Sequence, residues 1–238
     1  MMTLTLAPAA LPPGQRIYAI GDVHGCDDRL AMLHQMIAGD LAARPLATAT
    51  LLHLGDYIDR GEASAAVLER LRRGPPAPGL GVVNLIGNHE AMLLEALDTG
   101  DAEAALQWLG NGGAETLASW GLSRRTRPRD WPRAIPAEHV ALLRELKVCH
   151  VAGGYVFVHA GLRPGVPLER QSRHDMLWIR EPFLSWQGKH PFVVVHGHTP
   201  EHDVSVRPNR IGIDTGAVMG GVLTCVMLEG DRMGFLRA

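Results

Sequence analysis

Three apolar stretches each end in a glycine followed by a polar residue, and this pattern constrains the fold more than any other feature of the chain. The stretches end at Gly21-Asp22, Gly55-Asp56 and Gly87-Asn88. Asp22 and Asp56 lie 34 positions apart, and Asp56 and Asn88 lie 32 positions apart. One strand–helix–strand unit takes about 30 residues or more. The spacing therefore predicts consecutive βαβ units, whose strands deliver these polar residues to one edge of a sheet.

Helical patterns separate the apolar stretches. Leu30, Leu33 and Ile37 recur at helical spacing after the first stretch, and residues 63–72 and 90–97 have helical patterns after the second and third. Two further helices are predicted over 102–120 and 137–147, on either side of a basic, proline-containing loop. Strand-like runs return towards the carboxyl end, at residues 155–158, 192–195, 204–206, 211–213 and 222–228.

Two later histidine clusters repeat the arrangement of a strand followed by polar residues. His159 follows the run Tyr155–Val158, and His196 and His198 follow the run at 192–195. Together with the three earlier clusters, five loops are expected to converge at one edge. Carboxylate, imidazole and amide oxygen ligands suit Mn, Fe or Zn. The ligands suffice for two ions, which lie about 3.5–4 Å apart when they share a carboxylate.

Charge and cysteine content exclude several classes of protein. The 238-residue chain has 23 Lys and Arg residues against 25 Asp and Glu residues, so its formal net charge is −2. This balance argues against a nucleic-acid partner, and the longest apolar stretch, Val151–Leu162, is too short for a membrane span. Three distant cysteines without a CxxC pair predict no disulfide framework. Because the start lacks a basic signal-peptide segment, we expect a cytoplasmic protein.

The domain organisation predicted from these patterns is simple. We expect one α/β domain over residues 16–238, with a helical insertion at about 98–147. The prolines and glycine that precede residue 15 predict a disordered tail over residues 1–15. The chain has no internal repeat and no linker long enough to divide it, and its sequence does not indicate an oligomeric state.

The motifs, taken in order, resemble the phosphoprotein phosphatase family of calcineurin-like metallophosphoesterases. They are GDVHG, GDYIDRG, GNHE, HAGL and HGHT, and WLGNGG, LWIR and IDTG support them. The resemblance covers residues 16–228 and is strongest to the compact bacterial and bacteriophage members. It implies an α/β fold of the calcineurin-like metallophosphoesterase type, with a central mixed β-sandwich flanked by helices.

The resemblance also implies two divalent metal ions, most simply Mn²⁺, with Fe or Zn as alternatives. Asp22 and His24 match the ligands of the first metal, and Asp56 matches the bridging carboxylate. The second metal would be held by Asn88, His159 and His198. Turn residues and helix caps are the competing interpretation, but turn chemistry does not require His and Asn together at five loops.

Four further residues match catalytic positions of the family. His89 resembles the general acid, Asp59 resembles the carboxylate that orients it, and Arg60 and Arg180 resemble the arginines that bind phosphate. The assignment of Arg180 competes with Arg163 and Arg173 nearby. Among other polar residues, His196 is expected to support the ligands or to lie in the loop rather than to bind metal, His53 to be a core residue and Asp214 to be a loop anchor. Asn111 is expected either to reach the site or to form a plain turn.

Three functions remain open. The first is a phosphomonoester hydrolase in which metal-activated water attacks phosphorus directly. Its substrate would be a protein phosphorylated on serine or threonine, and also on tyrosine if the enzyme has dual specificity. A small phosphoester is the other possible substrate. The second is a dinucleoside-polyphosphate hydrolase of the diadenosine-tetraphosphate type, which shares the GDVHGC opening but usually lacks the Asp59 and Glu90 equivalents. The third is a non-enzymatic scaffold, which would typically have lost metal ligands, and none is lost here.

Overall fold

The computed structural model describes residues 2–238 and contains two stacked β-sheets. The first sheet has the order β1-β11-β10-β2-β3-β4, formed by Thr5–Leu6 (β1), Arg232–Arg237 (β11), Thr224–Glu229 (β10), Gln15–Ile20 (β2), Thr48–His53 (β3) and Leu80–Asn84 (β4). The second has the order β5-β6-β7-β9-β8, formed by Cys149–Ala152 (β5), Tyr155–Val158 (β6), Val193–His196 (β7), Arg210–Gly212 (β9) and Ser205–Val206 (β8). Both sheets are mixed, as the predicted sandwich requires.

The helices lie mainly between the early strands and in one long connection. Three of them follow strands of the first sheet, namely α1 (Asp27–Ala43), α2 (Ser64–Arg72) and α3 (Asn88–Thr99). Four more occupy the connection to the second sheet, namely α4 (Ala102–Trp108), α5 (Ala114–Ser119), α6 (Trp131–Ala134) and α7 (Ala137–Arg144). The short helix α8 (Arg173–Trp178) follows β6. Within residues 2–238, no helix has both the length and the apolar character needed to cross a bilayer.

The core is layered because side chains alternate along each strand. On β2, Ile17 and Ala19 point towards the second sheet and share a buried cluster with Phe157 of β6. Tyr18 and Ile20 point the other way and pack against the helices. The first sheet is therefore buried on both faces, and this explains why its strands read as continuous apolar runs.

Parallel pairing places the carboxyl ends of the strands together. Strands β2, β3 and β4 are parallel neighbours, as are β6, β7 and β9. The predicted βαβ units are thus present, and the polar clusters that follow these strands lie at the same edge of each sheet.

The expectation of a disordered tail over residues 1–15 is wrong for most of that segment; Met1 lies outside the described residues. Strand β1 pairs with β11, and the backbone N–H groups of Ala7 and Leu11 donate to the turn that precedes β11. Leu11 is buried between the sheets. A two-residue strand is too short to show alternation, so only tertiary pairing reveals it.

The helix predicted over 102–120 is interrupted. A π-helical turn at Leu109–Gly113 separates α4 from α5, and Gly112 has a φ of 102°. Three glycines at 110, 112 and 113 lower the helix propensity here. Helix α8, strand β5 and strand β11 were not predicted, because none of these segments has a clear period.

An ionic network around the buried Arg16 fixes the amino end of β2. Arg16, only 2% exposed, donates to Glu229 Oε2 of β10 (2.8 Å) and to the Tyr18 hydroxyl (3.1 Å). That hydroxyl donates to Asp40 Oδ2 on α1 at 2.5 Å. Burial raises the pKa of Asp40, but hydrogen bonds from Arg44 and Tyr18 outweigh burial and hold it below its ordinary value. The network therefore ties β2, β10 and α1 together.

We expect Asp40→Asn to reduce the free energy of unfolding by about 2 kcal/mol at pH 7, the scale of a hydrogen bond to a charged group. Because folding lowers the pKa of Asp40, its contribution is present at neutral pH and is lost as the pH falls through the folded pKa. The free energy of unfolding, measured with urea, should differ between variant and wild type by a constant amount above about pH 5. This difference should become smaller below about pH 3.9. The control is Asp98→Asn, which breaks an exposed pair with Arg144 and should cost less than about 1 kcal/mol. Equal losses in both variants would contradict the prediction.

Candidate metal centre

Turns at the carboxyl ends of the parallel strands bring the predicted site residues together. Asp22 and His24 follow β2, Asp56 follows β3, and Asn88 opens α3 after β4. From the second sheet, His159 follows β6 and His198 follows β7. All six side chains are buried. The two sheets are joined here, because His159 Nδ1 lies 3.0 Å from the carbonyl oxygen of Leu54.

Asp56 lies at the centre of the cluster. Its Oδ2 atom is 3.5 Å from His24 Nε2, and its Oδ1 atom is 3.4 Å from His159 Nε2. On the second side, His159 Nε2 and His198 Nδ1 each lie 2.9 Å from Asn88 Oδ1. The two carboxylate oxygens therefore face two different sets of donors, as a bridging ligand must.

Backbone carbonyls orient the imidazole rings. His24 Nδ1 lies 2.8 Å from the Ile58 carbonyl oxygen, and His159 Nδ1 makes the corresponding contact with Leu54. An Nδ1–H that donates to a carbonyl leaves Nε2 with the lone pair, and Nε2 is the atom that faces Asp56. Burial lowers the pKa of His24 to about 4 and that of His198 to about 3. Neutral imidazole is the form that binds metal.

The carboxylates of the cluster are crowded. Burial raises the pKa of Asp22 well above its ordinary value, and the nearby Asp214 and Asp56 raise it further. A cation relieves such crowding. Two groups of side chains have donor atoms close enough to hold an ion: His24 with Asp56 and His89, and Asp56 with His159 and His198. The donor chemistry therefore fits divalent metals that accept both nitrogen and oxygen.

Backbone strain is concentrated in this region. Among residues 2–238, the non-glycine residues with positive φ are His24, Asp56, Asp59, Arg60 and His198. Such conformations cost of order 1–3 kcal/mol each and persist only where surrounding structure enforces them. Gly87 is required for a related reason, since a Cβ there would collide with the Asp56 carboxylate.

Glu90 supplies part of that enforcement. Its Oε2 accepts the N–H groups of Asp56 (2.9 Å) and Gly87 (2.8 Å), and its Oε1 accepts those of Tyr57 (2.8 Å) and Ile58 (3.3 Å). In the sequence, Glu90 is informative only because it distinguishes the two substrate classes. The structure gives it another role, because one buried carboxylate holds both the β3 turn and the start of α3.

His89 and Asp59 form a buried pair beside the cluster. His89 Nδ1 is 2.7 Å from Asp59 Oδ2, and His89 Nε2 is 3.9 Å from Asp56 Oδ2. Burial alone would lower the pKa of His89, but the carboxylates of Asp56 and Asp59 outweigh burial and raise it. The geometry therefore places His89 Nε2 next to the central carboxylate.

A cavity of about 610 Å³ opens onto the cluster and distinguishes the candidate arginines. Arg60 and Arg180 line it, together with Asn88. Arg163 instead pairs with Asp175 at 2.6 and 2.8 Å, and Arg173 lines a neighbouring cavity of about 580 Å³. Arg60 Nη1 also lies 2.8 Å from His24 Nε2. Of the arginines between 163 and 180, Arg180 is thus the one that faces the cluster.

The other polar residues singled out in the sequence lie around the cluster rather than among its ligands. His196 and His53 are buried outside the cluster, and His53 is hydrogen-bonded to His34 and Asn84. Asp214 accepts the Gly216 N–H at 3.0 Å, as a loop anchor does, yet it also lies against Asp22. Asn111 does reach the cavity.

Two residues that touch the His89–Asp59 pair were not assigned a role from the sequence. Trp108 and Thr116 both donate to the Asp59 carboxylate. Trp108 lies within the WLGNGG motif, which was a signal of resemblance but not of function. Thr116 has no motif around it, and nothing in its spacing points to Asp59, 57 positions away.

Comparisons with known proteins agree with this architecture. Residues 15–219 match the family model for calcineurin-like phosphoesterases. Serine/threonine-protein phosphatase 1 of Salmonella typhimurium is 28% identical, over 90% of this chain and 93% of that protein. The symmetrical bis(5'-nucleosyl)-tetraphosphatase of Dechloromonas aromatica is 33% identical, over 92% and 94%. The cold-active protein-tyrosine phosphatase of a psychrophilic Shewanella has the same fold, with a TM-score of 0.61 at 18% identity over 96% and 82%. These matches confirm the predicted family and fold class.

We expect Glu90→Gln to destabilise the chain by about 2–3 kcal/mol, because the new amide would point its own donors at backbone N–H groups that now bond to a carboxylate. Thermal unfolding monitored by circular dichroism measures the loss. Glu95→Gln, the same substitution at an exposed position of α3, is the matched control and should change stability by less than about 0.5 kcal/mol. A Glu90→Gln variant as stable as the control would contradict the role assigned to Glu90.

Proposed function

The chain belongs to the calcineurin-like phosphoesterase family, and we propose that it is a dimetal phosphomonoester hydrolase that acts on phosphoserine and phosphothreonine in proteins. Membership of the family makes it a hydrolase of phosphoesters. The observation that carries the narrower proposal is the buried His89–Asp59 pair, with His89 Nε2 beside Asp56. A proton donor at that position serves a leaving group that departs as an alkoxide.

The candidate ligands would serve two ions, with Asp56 as the ligand common to both. Asp22 and His24 would hold the first, and Asn88, His159 and His198 would hold the second. When bound, the ions polarise the phosphoryl group and provide hydroxide near neutral pH. The set mixes carboxylate, imidazole and amide oxygen ligands, which suit Mn, Fe or Zn, and we propose Mn²⁺ as the simplest choice among them.

Arg60 and Arg180 would bind the phosphate. Both are exposed and line the cavity above the cluster. A guanidinium presents a planar fork of donors that matches two phosphate oxygens, which a lysine does not reproduce. The two arginines therefore orient the phosphoryl group towards Asp56 and its neighbours, and they neutralise its charge.

His89 would deliver the proton. With Nδ1–H donated to Asp59, Nε2 carries a proton only in the imidazolium form of His89, and in that form the Nε2 proton would go to the leaving oxygen. Asp59 keeps the ring in this orientation and stabilises its charged form. General acid catalysis of this kind contributes typically 10²–10⁴-fold.

The alternative, a dinucleoside-polyphosphate hydrolase, is supported by the 33% identity to the Dechloromonas enzyme. Its leaving group is a nucleotide phosphate, which departs with little need of a proton. A proton from the His89–Asp59 pair would then contribute little to catalysis. For this reason we favour hydrolysis of a phosphomonoester.

The test compares substrates under matched conditions. Phosphoserine and phosphothreonine peptides, a phosphotyrosine peptide and symmetrical diadenosine tetraphosphate are turned over with Mn²⁺ and again after chelation. We expect the highest kcat/KM for the phosphoserine or phosphothreonine peptide and no activity once the metal is removed. A higher kcat/KM for the dinucleotide would establish the alternative. Full activity in a sample that elemental analysis finds free of metal would refute the dimetal proposal.

We expect His89→Asn to lower kcat for an alkyl phosphate such as phosphoserine by about 10²-fold or more, and to lower it much less for p-nitrophenyl phosphate. Nitrophenolate is stable without a proton, so its departure depends little on an acid. Metal content should stay near that of wild type, and His202→Asn, at an exposed loop, should change neither rate. An equal loss on both substrates would assign His89 to phosphate or water binding instead.

A further inference from the structure

The helical connection contacts the centre at two residues that are not candidate metal ligands. Helices α4 and α5 and the π-helical turn between them lie against Asp59 and Arg60, which follow β3. Asp59, Trp108 and Thr116 are each 0% exposed, so their contacts are made away from water. This placement separates the connection from the metal ligands and links it to the proton donor and to the phosphate-binding arginine.

Two side chains of the connection hold the Asp59 carboxylate. Trp108 Nε1 lies 2.9 Å from Oδ2 and 3.1 Å from Oδ1, and Thr116 Oγ1 lies 2.6 Å from Oδ1. The Thr116 oxygen also accepts the backbone N–H of Asp59 at 2.8 Å. The indole N–H of Trp108 can only donate a hydrogen bond, so its partner must be an acceptor such as a carboxylate oxygen. Together these bonds leave Oδ2 turned towards His89.

The turn holds the backbone of Arg60. The N–H of Arg60 donates to the carbonyl oxygen of Gly112 at 3.1 Å. Asp59 and Arg60 have φ values of 73° and 68°, so this pair of residues is strained and needs support from outside its own loop. Gly112 has a φ of 102°, and a Cβ there would lie 2.7 Å from the Arg60 nitrogen. Glycine satisfies both constraints, because it tolerates a positive φ and has no Cβ to collide with the Arg60 backbone.

We propose that the α4–turn–α5 segment, residues 102–119, is the positioning element of the catalytic machinery. Trp108 and Thr116 are positioning residues that act through Asp59 on His89, and Gly112 is a positioning residue that acts through the backbone of Arg60. The proposal rests on the proposed roles of His89 as proton donor and of Arg60 as phosphate ligand.

The ring of Trp108 also packs in the core, and the test must separate packing from donation. Its centroid lies 5.1 Å from that of Trp131, at an interplanar angle of 74°. Trp108→Phe keeps an aromatic ring and removes the N–H, and Thr116→Val keeps the shape and removes the hydroxyl. Trp131→Phe is the matched control, because Trp131 Nε1 donates to the Thr126 carbonyl and not to Asp59.

The first experiment measures kcat and KM for phosphoserine and for p-nitrophenyl phosphate, with metal content and melting temperature. We expect Trp108→Phe and Thr116→Val each to lower kcat for phosphoserine about tenfold, the equivalent of one hydrogen bond to a charged group. KM and metal content should be unchanged, and kcat for p-nitrophenyl phosphate should fall less than about twofold. Trp131→Phe should leave the ratio of the two rates at its wild-type value, even if it lowers the melting temperature.

Coupling to Asp59 gives the sharper criterion. In an Asp59→Ala background, Trp108→Phe should not change the rate ratio further, because the acceptor of the Trp108 N–H is already lost. Additive effects would overturn the proposal for Trp108. If His89→Asn shows the leaving-group dependence and Trp108→Phe and Thr116→Val do not, this inference fails and the proposed function stands. If His89→Asn shows no leaving-group dependence, this inference and the proposed function both fail.

The second experiment tests the turn through inhibition by inorganic phosphate. Gly112→Ala should weaken phosphate inhibition about tenfold by displacing Arg60, with metal content unchanged. Gly110→Ala lies in the same turn, where an added Cβ meets no atom within 4 Å, and should leave inhibition at the wild-type level. Equal inhibition constants in wild type and Gly112→Ala would overturn the role of the turn.

Discussion

The position of the Asp56 carboxylate is the constraint on which the rest of the centre depends. Its two oxygens face His24 on one side and His159 on the other, so a small displacement would disturb both groups at once. The residue cannot hold this position unaided, since its φ is 52°. Glu90 provides the restraint by accepting four backbone N–H groups from the two adjoining turns. A side chain with no place among the candidate ligands thus determines their spacing.

The centre also depends on the stacking of the two sheets. Neither sheet carries all six candidate ligands, since Asp22, His24, Asp56 and Asn88 follow strands of the first sheet, and His159 and His198 follow strands of the second. The contact between His159 Nδ1 and the Leu54 carbonyl joins the sheets at this edge. The apolar cluster between the sheets, which includes Ile17 and Phe157, supplies the burial that keeps them together. Packing far from the centre therefore fixes the distances within it.

The sequence predicted the parts of this arrangement that local patterns encode. Apolar runs that end in Gly-Asp or Gly-Asn predicted β2, β3 and β4, together with the turns that carry Asp22, Asp56 and Asn88. The short strand β1 and the restraint on Asp56 were not predictable, because they rely on contacts between distant segments. Trp108 lies 49 positions from Asp59, and neither periodicity nor spacing relates two such residues. Side-chain contacts across the fold are the information that a single sequence lacks.

Two sets of contacts meet at the turn after β3. One set holds the candidate metal ligands, and the other holds Asp59 and Arg60. The candidate metal ligands are fixed by strand ends and by Glu90, whereas Asp59 and Arg60 are fixed by the connection between α3 and the second sheet. Alterations in that connection would therefore move the proposed proton donor and one proposed phosphate-binding arginine directly, and would reach the candidate ligand His24 through its contact with Arg60. Asn111, on the same turn, lines the cavity that would receive the substrate. On these proposed roles, selectivity for the leaving group and affinity for the phosphate would be adjusted in one segment, while the two sheets keep the candidate metal ligands in place.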